Sequence, residues 1–272
     1  MHITQGPQYN GKASKRLHVM AKPIGAACNI DCTYCYYLSK QDLLEYKKGC
    51  TPKMDDETLE TYVRQYIKGQ NTPEIIFSWQ GGEPTILGLD YFQKIVDLQK
   101  KYQPSGVMIS NDLQTNGTLL NDEWCEFLAT NNFLIGLSID GPEMLHNAYR
   151  TNRAGRGTFN QVMEAVELLH KHKIKFATLT CVNNLTSQNP LEVYRFLRDV
   201  VKSPQMQFIP IVEQKTFRTV APQTTQLSEQ LTQGNKSLIP GNKDSIMEPW
   251  CVSDLAWGNF LITVFDEWAK ND

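Results

Sequence analysis

Three cysteines crowd into eight residues of the 272-residue chain, where Cys28, Cys32 and Cys35 form the pattern C-x3-C-x2-C. Cysteine thiolates hold the irons of iron–sulfur clusters, and four of them would complete the ligands of a four-iron, four-sulfur cube. Because only three lie close together here, one iron would stay open to a small chelating ligand. The spacing therefore favours a 4Fe-4S cluster with one vacant coordination position.

A zinc site, or a group of inert buried thiols, is the alternative interpretation of this motif. Zinc knuckles usually bring a second Cys or His pair at a familiar spacing, and no such pair follows Cys35 closely. An odd total of seven cysteines, with three of them clustered, indicates metal ligands in a reducing compartment rather than a disulfide framework. The remaining four are scattered, and we interpret them as structural: Cys50, Cys125, Cys181 and Cys251.

A second candidate site is the run QGGEP at residues 80–84, which follows a predicted strand. Two glycines, Gly81 and Gly82, let the backbone approach a ligand closely, and the carboxylate of Glu83 can accept hydrogen bonds from an ammonium group. A tight turn with a surface acid is the alternative. The position after a strand, and after the cysteine loop, favours the ligand site.

Two later strand ends carry polar residues. Asn116 lies in an Asn-Gly turn and is a minor candidate, since such a turn can be merely a connection. Ser138 and Asp140 could bind ribose hydroxyls, while the guanidinium of Arg150 could pair in two places with a carboxylate or form a surface ion pair. We interpret His146 as a structural or surface residue rather than a ligand.

Short apolar or alternating runs take turns with longer amphipathic runs from residue 16 onward, which is typical of repeated βα units. Strands are predicted at 17–24, 74–79, 107–115, 133–140, 175–182 and 206–212. Helices are predicted from Asp56, Tyr91, Asp122, Thr158 and Pro190, with Asp56, Asp122 and Thr158 as N-caps or first-turn residues. Because parallel strands need right-handed helical crossovers, these units predict an α/β fold with a partial (β/α)6 barrel, whose site lies at the C-terminal strand ends.

The domain organisation follows from this pattern. We expect a polar N-terminal tail at 1–15 and the barrel at 16–213. Residues 214–248 are polar, rich in Gln, Thr and Pro, and lack a sustained period, which predicts a long surface loop or a substrate-facing lid. Residues 249–272 contain the pattern of an amphipathic helix.

Composition limits the partners. The formal net charge is −2, so no basic surface indicates nucleic acid or an anionic membrane as a partner. The N-terminus is polar, and the chain has no apolar run of about 18 residues that would predict a membrane span. We expect a cytoplasmic protein that acts on a protein or a small molecule.

Together these motifs resemble the radical S-adenosylmethionine superfamily, whose cluster loop is C-x3-C-x2-C followed by an aromatic residue, as Tyr36 is here. The runs FSWQGGEPT, LQTNGTLL, SIDGPEMLHNAYRTNRAGRGTFNQVM, QFIPIVE and WGNFLITVFDEW resemble one branch, the anaerobic sulfatase-maturating enzymes. The resemblance implies that the three clustered cysteines bind the cluster, that its open iron chelates S-adenosyl-L-methionine (AdoMet), and that the GGEP turn binds the methionine amino group. With the polar residues above, it predicts cofactor contacts at Tyr34, Tyr36, Gly81, Gly82, Glu83, Asn116, Ser138, Asp140, Arg150, Ile211 and Val212.

The resemblance also implies a reaction. An electron from the cluster, supplied by a donor such as flavodoxin or ferredoxin, cleaves AdoMet to methionine and a 5′-deoxyadenosyl radical. That radical removes a hydrogen from the β-carbon of a cysteine or serine in a sulfatase, and further oxidation yields Cα-formylglycine.

Members of this branch continue into a cysteine-rich SPASM domain with two auxiliary 4Fe-4S clusters and a proton-accepting aspartate. This sequence ends at Asp272 before such cysteines, so we expect it to be the N-terminal portion of a longer protein, with the catalytic aspartate outside it. Two alternatives stay open: a SPASM-type maturase of another peptide or cofactor precursor, and a non-catalytic zinc-binding scaffold.

Overall fold

A computed structural model describes residues 15–38, 40, 52–215 and 238–271 of the chain. Its strands are β1 (Met20–Ala21), β2 (Glu74–Trp79), β3 (Met108–Thr115), β4 (Phe133–Ser138), β5 (Phe176–Val182) and β6 (Met206–Pro210). Its helices are α1 (Asp56–Lys68), α2 (Leu89–Tyr102), α3 (Asp122–Thr130), α4 (Glu143–Asn147), α5 (Phe159–Lys171), α6 (Pro190–Arg195) and α7 (Asp254–Asn271). Helix α6 continues through a π-helical turn at Phe196–Val200.

The strands form one parallel sheet in the order β1-β2-β3-β4-β5-β6, so each pairs with its neighbours in sequence. β1 and β6 are the two edges of this sheet among the described residues. A parallel sheet with sequential helical crossovers, open at its edges, is the partial (β/α)6 barrel that the sequence predicts. The predicted α/β fold is therefore confirmed.

The helix-facing side of the sheet is apolar because alternate strand residues point towards the helices. In β2, Ile75, Phe77 and Trp79 are almost completely buried. The ring of Phe77 meets Tyr66 of α1 edge to face, with ring centroids 4.9 Å apart. These aromatic contacts anchor α1 and α2 on the outside of the sheet and fix the strand whose end carries the GGEP turn.

The opposite side of the sheet faces the interior of the barrel and carries polar side chains. His18 Nε2 lies 2.6 Å from Ser78 Oγ, and Ser78 donates a 2.5 Å hydrogen bond to Asp112. Gln114 donates to Ser138 at 2.9 Å. Polar groups therefore line this side of the sheet up to the ends of β3 and β4.

Helix starts show which of the predicted N-terminal roles each residue takes. Asp55 caps α1 and Asn121 caps α3, each accepting a backbone N–H with its side chain. Asp56 and Asp122 are therefore first-turn acids, one of their two predicted roles. Thr158 occupies the cap position of α5, but its hydroxyl donates to the carbonyl of Arg150 instead of capping the helix.

Several strands are shorter than predicted. The pairing of β1 covers only Met20–Ala21 because the chain turns at residues 23–26 towards the cysteine loop. β4 ends at Ser138, so Asp140 lies in the loop that follows, and β6 ends at Pro210. Helix α4 was not predicted, since five residues are too few to show a period.

The predicted domain bounds remain predictions. Most of the N-terminal tail, Cys50 and residues 216–237 of the predicted 214–248 loop lie outside the described residues. After this gap, Val252 donates its backbone N–H to the carbonyl of Ile211, which joins the chain to the end of β6. In the described part of the chain, no helix is both long and apolar enough to span a membrane.

Candidate active site

The cysteine loop begins where β1 ends and is held by the segment between α4 and α5. Asp31 donates its backbone N–H to the carbonyl of Thr151 at 2.7 Å, and Thr33 donates to Tyr149 at 3.0 Å. Arg153 donates from Nη2 to the carbonyl oxygen of Cys28 at 2.8 Å. These bonds join parts of the chain more than a hundred residues apart and fix the loop at the carboxyl edge of the sheet.

All three cysteines of the loop are free thiols of intermediate exposure. Burial raises the pKa of Cys28 to about 11 and that of Cys32 to about 12. The positive charge of Arg150 lowers the pKa of Cys32, whereas negative charge on Cys35 or Cys28 raises it further. The thiols are therefore close enough to repel one another as thiolates, so positive charge is needed to hold them deprotonated.

An iron–sulfur cluster fits this set of donors. Irons supply the positive charge that buried thiolates need, and thiolates are the ligands that such clusters take. Among the described residues, no group of three His, Cys, Asp or Glu side chains converges on a single metal ion.

The glycine turn after β2 packs directly on the start of the cysteine loop. Gly82 donates its N–H to the carbonyl of Gly25, and Glu83 donates to that of Ala27, both at 2.8 Å. A Cβ placed on Gly82 would lie 1.8 Å from the carbonyl oxygen of Ala27. Gly82 is thus required by close backbone packing beside Cys28, while Gly81 has the positive φ of 139° that glycine accepts readily.

The carboxylate of Glu83 is fully buried and accepts four internal hydrogen bonds. Oε1 accepts from the hydroxyl and backbone N–H of Thr85 and from the hydroxyl of Thr115, and Oε2 accepts from the backbone N–H of Asn116 at 2.7 Å. Burial raises its pKa, and these hydrogen bonds oppose the shift. Glu83 therefore ties the GGEP turn to the end of β3.

Asp140 and Arg150 form a buried, two-point ion pair. Arg150 donates from Nε to Oδ2 at 2.9 Å and from Nη2 to Oδ1 at 3.1 Å. The hydroxyl of Tyr34 also donates to Oδ2, and the backbone N–H of Cys181 donates to Oδ1 at 2.9 Å. Arg150 is thus not in a surface ion pair, since its side chain is only 7% exposed and lies beside the cysteine loop.

Two residues that the sequence did not indicate as ligands lie close to this pair. Cys181, interpreted as structural, lies at the carboxyl end of β5 with its sulfur 3.8 Å from Arg150 Nη2. His146 is completely buried, accepts weakly from the backbone N–H of Asp140 and contacts the Thr158 hydroxyl. Strand alternation could have placed Cys181 on the barrel-facing side, whereas no local signal could have paired His146 with Thr158.

A cavity of about 890 Å³ opens beside the cysteine loop, within the range of small-molecule sites. Tyr34 and Tyr36 line one side, and Ile211 and Val212 line another. Glu213, which the sequence did not single out, contributes a buried carboxylate to the wall. The predicted aromatic and apolar contacts are therefore brought together in one space, while Ser138 and Asn116 lie at neighbouring strand ends.

Comparisons with known proteins agree with this site. The model of the radical SAM superfamily matches residues 23–197. A serine-type anaerobic sulfatase-maturating enzyme of Bacteroides thetaiotaomicron is 42% identical over 259 residues, covering 95% of this chain and 59% of that relative. A cysteine-type anaerobic sulfatase-maturating enzyme of Clostridium perfringens is 40% identical over 183 residues, covering 67% of this chain and 49% of that relative.

Solved structures give the same result. The structure of native anSMEcpe with bound AdoMet has a TM-score of 0.74 at 32% identity and covers 92% of this chain and 60% of that chain. A spore photoproduct lyase mutant has a TM-score of 0.55 at 11% identity, a likeness that concerns the fold alone.

The chain spans between about half and three fifths of the length of these two curated relatives. The predicted resemblance to the sulfatase-maturating branch is confirmed by them. Because the family model covers most of the barrel, from the turn before Cys28 to the end of α6, the chain belongs to the radical SAM superfamily.

Proposed function

We propose that Cys28, Cys32 and Cys35 each bind one iron of a 4Fe-4S cluster and that the fourth iron binds AdoMet. When bound, the cluster and AdoMet would supply the chemistry that membership of the superfamily implies, which is reductive cleavage of AdoMet to a 5′-deoxyadenosyl radical. The observation that carries the proposal is the loop itself: three free thiols at the carboxyl edge of the barrel, beside Arg150 and the cavity. Burial there would be unfavourable for thiolates without a bound cation.

Arg150 is proposed to bind the carboxylate of AdoMet. Its Nε and Nη2 donate to Asp140, Nη2 also donates to Cys181 Sγ, and no hydrogen bond in the described part of the chain uses Nη1. Asp140 orients the guanidinium, and the hydroxyl of Tyr34 orients Asp140 in turn. A pre-oriented guanidinium offers its remaining donors with little further loss of side-chain entropy.

The GGEP turn is proposed to bind the amino group of AdoMet through the backbone of Gly81 and Gly82. Glu83, whose carboxylate accepts four internal hydrogen bonds, is proposed to hold this backbone in place, and its Oε2, with a single donor, is proposed to contact the amino group. Ser138 is proposed to lie near the ribose. Tyr34, Tyr36, Ile211 and Val212, which line the cavity, would surround the rest of the cofactor and exclude water from the radical.

For the whole protein we propose oxidation of a cysteine or serine of a sulfatase to Cα-formylglycine. The support is the shared name of the serine-type and cysteine-type relatives, and the structure of anSMEcpe that carries both AdoMet and a peptide named Cp18Cys. Two auxiliary 4Fe-4S clusters and the proton-accepting aspartate would belong to the SPASM region of such a protein. A reduced flavodoxin or ferredoxin is proposed as the electron donor, and the cytoplasm, where clustered thiols stay reduced, as the location.

The test uses the whole protein, prepared and reconstituted anaerobically, with AdoMet, a strong reductant and sulfatase peptides that carry either Cys or Ser at the target position. We expect 5′-deoxyadenosine together with an aldehyde in the peptide, detected by mass spectrometry. Cys32→Ala should abolish both products because the cube loses one of its three ligands. Cys125→Ala, in α3 outside the loop, is the matched control and should retain them.

Two results would contradict parts of this proposal. Production of 5′-deoxyadenosine by Cys32→Ala at the wild-type rate would disprove the ligand assignment. Cofactor cleavage by the wild-type protein without any change in either peptide would instead point to a maturase of a different peptide or cofactor precursor.

A further inference from the structure

We propose that Asn116 is a positioning residue for Cys28, donating a hydrogen bond from its side-chain amide to the cysteine sulfur and so setting the electronic properties of the bound cluster. The inference rests on the proposed cluster ligands. Asn116 Nδ2 lies 3.7 Å from Cys28 Sγ, and Asn116 is only 6% exposed. Hydrogen bonds to the sulfurs are among the factors that set the reduction potential of iron–sulfur clusters.

The orientation of the Asn116 amide is fixed by its other contacts. Oδ1 accepts from the backbone N–H of Thr118 at 3.0 Å and from the Thr118 hydroxyl at 2.7 Å. A backbone N–H can only donate, so the atom that faces it must be the oxygen of the amide. The other end, which faces Cys28, is therefore the NH₂ group.

A closed set of hydrogen bonds holds that NH₂ group against the cysteine loop. Asn116 Nδ2 also donates to Asn29 Oδ1 at 2.9 Å, and Asn29 Nδ2 donates to Thr118 Oγ1 at 2.8 Å. The Thr118 hydroxyl then completes the ring by donating to Asn116 Oδ1. Rotation of the amide would break several of these bonds at once, so the donor stays directed at Cys28.

The backbone of the same residue is tied to the other candidate site. Asn116 N donates to Glu83 Oε2 at 2.7 Å, and Glu83 holds the GGEP turn against the start of the cysteine loop. Asn116 therefore joins the proposed cluster ligand Cys28 and the proposed AdoMet-binding turn through one buried residue.

The expected effect is on the potential of the cluster. An N–H donor near Cys28 stabilises negative charge on the sulfur, and the reduced cluster carries one more electron than the oxidised one. Loss of the donor should therefore make reduction harder. We expect Asn116→Ala to lower the equilibrium constant for reduction of the cluster by up to about tenfold, which for a one-electron couple is a decrease of ~59 mV in reduction potential.

The experiment is a redox titration of the reconstituted protein without AdoMet or substrate, in which electron paramagnetic resonance follows the cluster signal that Cys32→Ala lacks. Asn131→Ala is the matched control, since within the described ranges the Asn131 amide bonds only to the carbonyl of Phe127 at the end of α3. Thr118→Val is the second variant, because it removes the half-buried hydroxyl that donates to Asn116 Oδ1 and accepts from Asn29 Nδ2, and leaves only the Thr118 backbone N–H on that oxygen. It should shift the potential in the same direction by a smaller amount.

The outcomes separate this inference from the proposed function. A variant with Cys28, Cys32 and Cys35 replaced by alanine that binds as much iron as the wild type would disprove the cluster ligands themselves. If the wild type binds its cluster but Asn116→Ala and Thr118→Val both have the reduction potential of Asn131→Ala, the proposed role of Asn116 is wrong and the cluster ligands stand. If Asn116→Ala does not fold, Thr118→Val decides the question by the same comparison.

Discussion

Gly82→Ala tests the close packing between the glycine turn and the cysteine loop. The new Cβ would lie 1.8 Å from the carbonyl oxygen of Ala27, 2.4 Å from its carbonyl carbon and 2.7 Å from that of Ala26. Because real Cβ atoms essentially never approach closer than 3.0 Å, the backbone beside Cys28 must retreat by about 1.2 Å. All three atoms belong to backbone, so no side chain can rotate away to relieve the clash.

The free energy of unfolding should fall through two effects. Overpacking of a site that cannot relax costs about 1–3 kcal/mol. The retreat would also stretch the 2.8 Å hydrogen bonds from Gly82 to Gly25 and from Glu83 to Ala27, each worth about 1 kcal/mol. A total near 3 kcal/mol corresponds to a decrease in Tm of about 6–12 °C for a protein of this size.

The assay is thermal unfolding followed by circular dichroism, with iron content after reconstitution as a second measurement. Gly258→Ala in α7 is the matched control, since among the described residues no atom beyond its chain neighbours and its own helix backbone lies within 4 Å of the added Cβ, and alanine favours the helix. We expect Gly82→Ala to lose both thermal stability and iron, and Gly258→Ala to lose neither. A Gly82→Ala protein with the Tm and the iron content of the wild type would refute the packing argument.

Two further predictions concern the buried groups beside the loop. Arg150→Gln and Asp140→Asn should each lower the free energy of unfolding by about 3–5 kcal/mol, because each leaves a buried charge unpaired. The double variant should lose less free energy of unfolding than the sum of the two single losses. Additive losses in denaturant titrations would contradict this coupling. Burial lowers the pKa of His146 to about 4, below its unfolded value of 6.5. Its contribution to stability is therefore full above pH 6.5 and is lost as pH falls towards 4, by an amount on the order of 3 kcal/mol. His146→Gln should reduce the dependence of the free energy of unfolding on pH in this range. An unchanged slope between pH 6.5 and 4 would contradict the claim that the lowered pKa of His146 causes this dependence.

Local patterns were enough to predict most of the fold. β2 has its predicted bounds, residues 74–79, because its apolar outer face and bounding turns are visible in the sequence. β1 was overestimated because the residues after Ala21 turn into the cysteine loop instead of pairing. Strand length depends on where the partner strand ends, which local patterns do not contain.

The composition of the candidate site was predictable, but its contacts were not. The clustered cysteines, the GGEP turn and the polar strand ends are local signals, and the structure gathers them at one edge. The partners of Asp140 were unpredictable, since Tyr34 lies 106 residues away in sequence and Arg150 reaches it from beyond a short helix. The contact of Asn116 with Cys28, across 88 residues, likewise depends on the parallel order of the strands.

The central claim is that three neighbouring thiolates hold an iron–sulfur cube whose fourth iron is open to AdoMet. Its most direct test is anaerobic reconstitution of the protein followed by iron and sulfide analysis and electron paramagnetic resonance with and without AdoMet. We expect the wild type to bind about four irons and four sulfides more than a variant with Cys28, Cys32 and Cys35 all replaced by alanine, and we expect a change in the spectrum of the reduced cluster when AdoMet is added. A wild-type protein that binds no more iron than this triple variant, or that takes up stoichiometric zinc at the three cysteines instead, would contradict the claim.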